Sequence, residues 1–369
     1  MTALRDPFAA LGLRRVLNVS GTETPYGASR VRPEVVAAVA ALVPHAVFID
    51  ELQQAASRTI AATLGCEAGA ITGCTAASIA MAVAGAMAGT DRGRIDQLPD
   101  AAGMRDEVVV QRGHIVDYGH NVCQNIRLAG ARVVEIGAAT DCQAYQLRHA
   151  LGPRTAAVLF VVSHLTVQHR MVSLADCVAA CREAGVPLIV DAASVPDPRP
   201  CLQAGADLVL FSAHKAFGSL TARVVAGRAA AVEACLAQQH GIGRPMKVGK
   251  EGIVGAIAAL EAWAADDREQ AQARTTARVQ RLRERLGALP GVRAAADGRH
   301  QLRLQIDPQQ ARLSAGALSQ ALRAGEPAIL AWDLHAEAGT LLLTLGRVSD
   351  EEATLVADRI ETLLAGAPA

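Results

Sequence analysis

A reaction that needs a primary amine has three candidates in this chain of 369 residues. Lys215, Lys247 and Lys250 are its lysines, and the other 33 of its 36 basic residues are arginines. Lys215 follows ADLVLFSAH, an apolar run that reads as a buried strand, so surface solvation does not explain it. Two more features fall at the carboxyl ends of strand-like runs, where open α/β sheets hold their ligands. Asp191 ends VPLIVD, and the turn Gly73, Cys74, Thr75, Ala76, Ala77, Ser78 opens an alanine-rich helix.

Each feature alone has an ordinary reading. An aspartate at a strand end is commonly a cap, and a Gly-Thr-Ser turn commonly starts a helix. Together they meet the needs of pyridoxal 5′-phosphate. Its aldehyde takes a nucleophilic lysine, its ring nitrogen a carboxylate that keeps it protonated, and its phosphate free N–H groups and hydroxyls at a helix N-terminus. The run Arg244-Pro-Met-Lys247-Val-Gly-Lys250 gathers three cations in seven residues. It reads either as an anion clamp or as a solvated charged loop.

The elements that position these residues follow from patterning. Residues 1–33 read as an irregular Gly/Pro-rich arm. Pro33 opens a helix, PEVVAAVAALV, and a second helix runs from Asp50 through Leu64. Strands EVVVQRGH, RVVEIG, AAVLFVVS, VPLIVDAAS, ADLVLFSAHK and ARVVAGR then alternate with helices, which predicts an α/β domain with a largely parallel sheet over 34–255. One long helix is expected from Gly252 towards Pro290. Beyond it HQLRLQID and GTLLLTLG, with two helices, predict a smaller α+β domain, and 256–369 is assigned to it.

Composition excludes several classes. Acidic and basic residues balance at 36 each, so charge offers no support for a nucleic-acid partner. No apolar run reaches the length of a membrane span and no secretory h-region is present, so a cytoplasmic protein is expected. The eight cysteines are scattered without a C-x-x-C, and no metal site is expected.

Phe211-Ser212-Ala213-His214-Lys215 resembles the S-x-H-K signature of fold-type I pyridoxal phosphate enzymes. VLNVSGTETPYGASRV, FIDELQQAAS, GAITGCTAASIAMAVAG, VDAAS and GIGRPMKVGKEGIVGAIAALE resemble the selenocysteine-synthase-like (SelA-like) family, closest to its D-glucosaminate-6-phosphate ammonia-lyase branch. The resemblance implies that Lys215 is the Schiff-base lysine, that Asp191 pairs with the ring nitrogen, and that Ala193 lies under the ring. It implies a phosphate cup of Thr75, Ala76, Ala77, Ser78 and Ser212, with His214 beside Lys215. His114 is the candidate for stacking on the ring, and Ser163 and His164 are further candidates in the crevice. Arg244, Lys247 and Lys250 are candidates for an anion, and Arg347 for a substrate carboxylate.

The chain begins almost at LGLRRVLNVSGT, without the tRNA-binding segment of selenocysteine synthases, so tRNA-dependent selenium transfer is not expected. The expectation is a lyase on a small amino-acid substrate, with α-proton abstraction by Lys215 and release of a 2-oxo acid and ammonia. A racemase, an aldolase, a β-replacement enzyme and a cofactor-binding protein without turnover stay open. A homodimer or larger homo-oligomer is implied, with the arm and the Arg244–Lys250 loop reaching the partner's site.

Overall fold

The computed structural model describes residues 6–366, with strands β1 (Val16–Val19), β2 (Ala68–Thr72), β3 (Glu107–Gln111), β4 (Arg132–Ile136), β5 (Thr155–Val161), β6 (Leu188–Asp191), β7 (Leu208–Ser212), β8 (Arg223–Gly227), β9 (Val292–Asp297), β10 (Gln301–Ile306), β11 (Ala328–Ala331) and β12 (Thr340–Thr344). Two compact units are present. One runs from Val31 to Ala265, and the other joins the residues through Arg30 to those from Asp266 onward.

The larger unit holds a seven-stranded sheet in the order β2-β8-β7-β6-β5-β3-β4. β8 pairs antiparallel with both neighbours, and the other pairings are parallel. β5, β6, β7 and β8 are buried at every position, the pattern of strands covered on both faces. Along β5 the side chains alternate between two cores. Val158 and Phe160 pack with Val109 and Val190, whereas Ala157, Leu159 and Val161 pack with Met81, Val110 and Ile189. Helix Thr75–Ala88 packs on helix Ala229–Ala237 through small residues. A Cβ on Gly85 would meet the Ala234 carbonyl carbon at 2.8 Å, so only glycine admits that approach.

In the smaller unit β12, β10 and β9 form an antiparallel sheet, and β1 pairs in parallel with β11. The N-terminal segment is therefore not an irregular arm over its described length. Leu17 and Val19 of β1 are buried in the core of this unit with Leu302, Leu343 and Val356. The expected long helix is two helices, Lys250–Ala265 and Arg268–Gly287. Asp267 breaks it, because its side chain caps the second helix by accepting from Gln270 N at 2.9 Å. The units divide at this break, between Ala265 and Asp266, inside the stretch expected as one long helix and ten residues past 255. Residues 1–5 of the expected arm lie outside the described residues. No described helix is long and apolar enough to cross a membrane.

Candidate functional site

The site is built at one edge of the seven-stranded sheet. β2, β6 and β7 end there at Thr72, Asp191 and Ser212. β8 runs the other way, so it begins there, and its first residue, Arg223, lies between Thr72 and Ser212 in the ladder. Sequence reading missed Arg223 because a parallel strand would have carried it to the far edge. A signal was present: residues 213–222 are too few for a parallel crossover, which takes about a dozen or more. An arginine opening an apolar strand also requires a buried partner.

That partner is Asp191. Arg223 is fully buried and Asp191 is 3% exposed. Arg223 Nη2 donates to Asp191 Oδ1 at 2.7 Å and also to the Leu210 carbonyl, while Nη1 donates to Thr75 Oγ1. Oδ1 also accepts from Ala193 N at 3.1 Å. Both bonds thus fall on one carboxylate oxygen, which fixes the other. Burial lowers the Arg223 pKa from its usual range, and the Asp191 charge opposes that. Arg223 Nε is buried without a hydrogen-bond partner.

Thr75, Ala76 and Ala77 open helix Thr75–Ala88, whose N-cap residue Cys74 makes no side-chain capping bond. The first N–H to bond back is that of Ser78, onto Cys74 O at 3.0 Å, so the preceding three N–H groups face outward from the helix start. Ser78 departs from its expected place in the cup. It is fully buried, donates to Cys74 O at 2.8 Å and pairs with Thr72 Oγ1 at 2.6 Å. It lies one turn inside the helix and its hydroxyl braces the turn. Gly73 is required, since a Cβ there would meet Met246 O at 2.8 Å. The Arg244–Lys250 segment therefore packs on this chain's own turn. Arg244 and Lys247 are exposed beside it, and Lys250 Nζ instead donates to His45 O.

Ser212 Oγ accepts from Lys215 N at 3.1 Å and caps the short helix Ala213–Ala216, which carries Lys215 and His214, both half-buried. His214 Nδ1 lies 3.4 Å from Thr221 Oγ1. His114 is only 1% exposed, with Nδ1 accepting from Val161 N at 3.2 Å and its ring edge-on to Phe160. Burial lowers its pKa to about 4, so it is neutral at pH 7. Ser163 Oγ accepts from Leu165 N just beyond β5, and His164 is exposed. Arg347 is exposed and belongs to the smaller unit, after β12. Tyr118, also missed from sequence, is coupled electrostatically to Asp191, Arg223 and Cys74. Asn125 Nδ2 donates to its hydroxyl at 2.5 Å, and burial pushes its pKa up to about 12. Nothing in its surrounding run, VDYGHNV, distinguishes it from an ordinary loop tyrosine.

A family model described as L-seryl-tRNA selenium transferase (SelA) matches residues 16–324. The chain is 38% identical over 363 residues to D-glucosaminate-6-phosphate ammonia lyase of Salmonella typhimurium, covering 96% of this chain and 97% of that protein. It is also 38% identical over 369 residues to a 5′-C-glycyluridine monooxygenase-decarboxylase of a Streptomyces species, covering 97% and 92%. The solved structure of D-glucosaminate-6-phosphate ammonia-lyase matches with a TM-score of 0.89 at 37% identity, covering 100% of both chains. A cysteine desulfurase from Escherichia coli matches with a TM-score of 0.60 at 18% identity over 94% of this chain and 95% of that one, a likeness of fold.

Proposed function

The chain belongs to the L-seryl-tRNA selenium transferase (SelA) family, with a fold-type I architecture, and from that premise we propose that it is a pyridoxal 5′-phosphate-dependent ammonia-lyase acting on a small amino-acid-like substrate. One observation carries the reading. A buried Asp191, the turn bearing Lys215 and an uncapped helix N-terminus at Thr75 converge on one edge of the sheet. The residues suit the group. Asp191 accepts its bonds on Oδ1, Thr75 to Ala77 present N–H groups, and Gly73 leaves the turn without a side chain.

When bound, the cofactor supplies an electron sink for negative charge at the substrate α-carbon. Lys215 Nζ would hold the aldehyde end, and its amine, when free, would take the substrate α-proton as general base. Asp191 would hold the ring-nitrogen proton by charge pairing. The N–H groups of Thr75, Ala76 and Ala77 and the Thr75 hydroxyl would anchor the phosphate. Arg244 and Lys247, on the segment packed against the Gly73 turn, attract an anionic group of the substrate. The β-hydroxyl departs as water, and hydrolysis of the released product gives a 2-oxo acid and ammonia. The same reading takes the enzyme to be a cytoplasmic homodimer, for which sedimentation of the active protein as a monomer would be contrary evidence.

Borohydride reduction of the cofactor-loaded protein should fix the cofactor on the peptide containing Lys215, and Lys215→Ala should abolish the adduct. Ammonia and a 2-oxo acid should appear together from hydroxy-amino acids, with D-glucosaminate 6-phosphate the first to try. Oxygen uptake with carbon dioxide release and no ammonia would move the chain to the chemistry named for the Streptomyces relative. A protein that takes up no cofactor would sink the reading.

A further inference from the structure

A fully buried arginine touches both ends of the proposed cofactor site. Arg223 bonds to the carboxylate meant for the ring nitrogen and to the hydroxyl of the residue that opens the phosphate-binding helix. It comes from a strand that runs against its neighbours, so its backbone belongs to neither feature. The Leu210 carbonyl completes a three-way clamp around the guanidinium, and Nε is left buried without a partner. A buried donor without an acceptor costs free energy.

Resting on the cofactor reading, we propose that Arg223 is a positioning residue, one that locks Asp191 to the helix N-terminus through Thr75 and weakens the hold of Asp191 on the ring-nitrogen proton. A lone carboxylate beside a pyridine nitrogen favours its protonation. Here the carboxylate already shares its charge with a guanidinium 2.7 Å away. A protonated ring is then a second cation beside a nearly neutral pair, so its proton is held less strongly. Arg223 also engages Thr75 Oγ1 as an acceptor, which leaves the threonine O–H to donate to a phosphate oxygen. The other titratable groups that act on the pair are Tyr118 from the segment after His114 and Cys74 from the turn before helix Thr75–Ala88, while His214 and Lys215 sit on the helix that follows β7. His114 is bonded to Val161, which lies opposite Asp191 in the ladder.

The test uses wild-type protein, Arg223→Gln and Arg223→Lys, each loaded with pyridoxal phosphate carrying a nitrogen-15 ring label. The nitrogen shift followed against pH gives the midpoint at which the ring proton is lost, and equilibrium titration gives cofactor affinity. Arg223→Gln removes the cation, and its midpoint should rise by about one pH unit or more. An unchanged midpoint, or a ring fully protonated over the whole range in both proteins, overturns the proposal. A role confined to packing would leave the midpoint where it was. Arg223→Lys keeps the charge but cannot span Asp191 and Thr75 together, and it carries the test if Arg223→Gln does not fold. Its midpoint should stay near that of the wild type while cofactor affinity falls roughly tenfold or more. Wild-type affinity in Arg223→Lys overturns the clamp. Wild-type protein that binds no cofactor sinks the functional reading itself, a result distinct from either of these.

Discussion

Arg223 in the larger unit and Arg285 in the smaller one each reach a carboxylate, Asp191 at 2.7 Å and Glu361 at 2.6 Å. The Arg285 side chain is 36% exposed and that of Arg223 is 0%. Pairing raises the pKa of both guanidinium groups, but the net shift differs because burial opposes it far more at Arg223. The hydrogen bonds that Arg285 donates to Glu361 and Asp358 raise its pKa, and water still reaches it. Burial lowers that of Arg223, with Asp191 working against the shift. A surface pair loses little when broken, because water replaces the missing partner. A buried pair strands a charge when one member goes. Distance alone therefore says little about what an ion pair contributes; solvent access decides it.

The contrast is tested most strongly at Arg223. Arg223→Met should destabilise the protein by about 3–5 kcal/mol in chemical denaturation, because Asp191 is left buried and unpaired. Pairing it with Asp191→Leu should recover most of that loss, since neither charge then remains. A single variant that unfolds like wild type would erase the distinction between the two regions.

His114 sharpens the comparison with a buried group that has no charge partner. Its pKa in the folded state is about 4, below the 6.5 of an exposed histidine. The unfolded chain therefore binds the proton first as pH falls. The His114 contribution is complete above about pH 6.5 and is lost progressively down to about pH 4, by up to about 3 kcal/mol. His114→Gln should flatten the stability profile in that window and leave it unchanged above pH 7. A profile equally steep in the variant would assign the loss to other groups.

The smallest effect is expected at Arg285. Arg285→Ala should cost about 1 kcal/mol or less despite two carboxylate partners, and added salt should shrink the difference further. A loss as large as that of Arg223→Met would show that geometry outweighs exposure.

Much of the architecture was legible from residue patterns. Apolar runs such as AAVLFVV and the helix signal at Pro33 depend on neighbours a few residues apart, and β5 and helix Pro33–Leu42 form where they predict. β1 was not legible, because VLNV is too short to stand out within a Gly/Pro-rich segment and is held by residues more than 300 positions away. The break at Asp267 was masked by helix-favouring residues on both sides. Within the candidate site, Asp191, Thr75 and the turn bearing Lys215 stood out because each lies at or just past the end of a strand, and position at a strand end is a local property. Ser78 was misplaced because one turn of helix separates a hydroxyl at the rim from one beneath it.

The sequence by itself determined that the chain builds an α/β sheet and that Lys215 is its singular amine after a buried strand, because periodicity and lysine scarcity are read along the chain. Tertiary structure decided what surrounds that amine. Arg223 meets Asp191 across 32 positions and Thr75 across 148. Those meetings depend on strand order and on the reversed direction of β8, which place residues from four separate segments at one edge. A buried charge takes its character from the partner and the solvent it finds there, and no local run of residues specifies either.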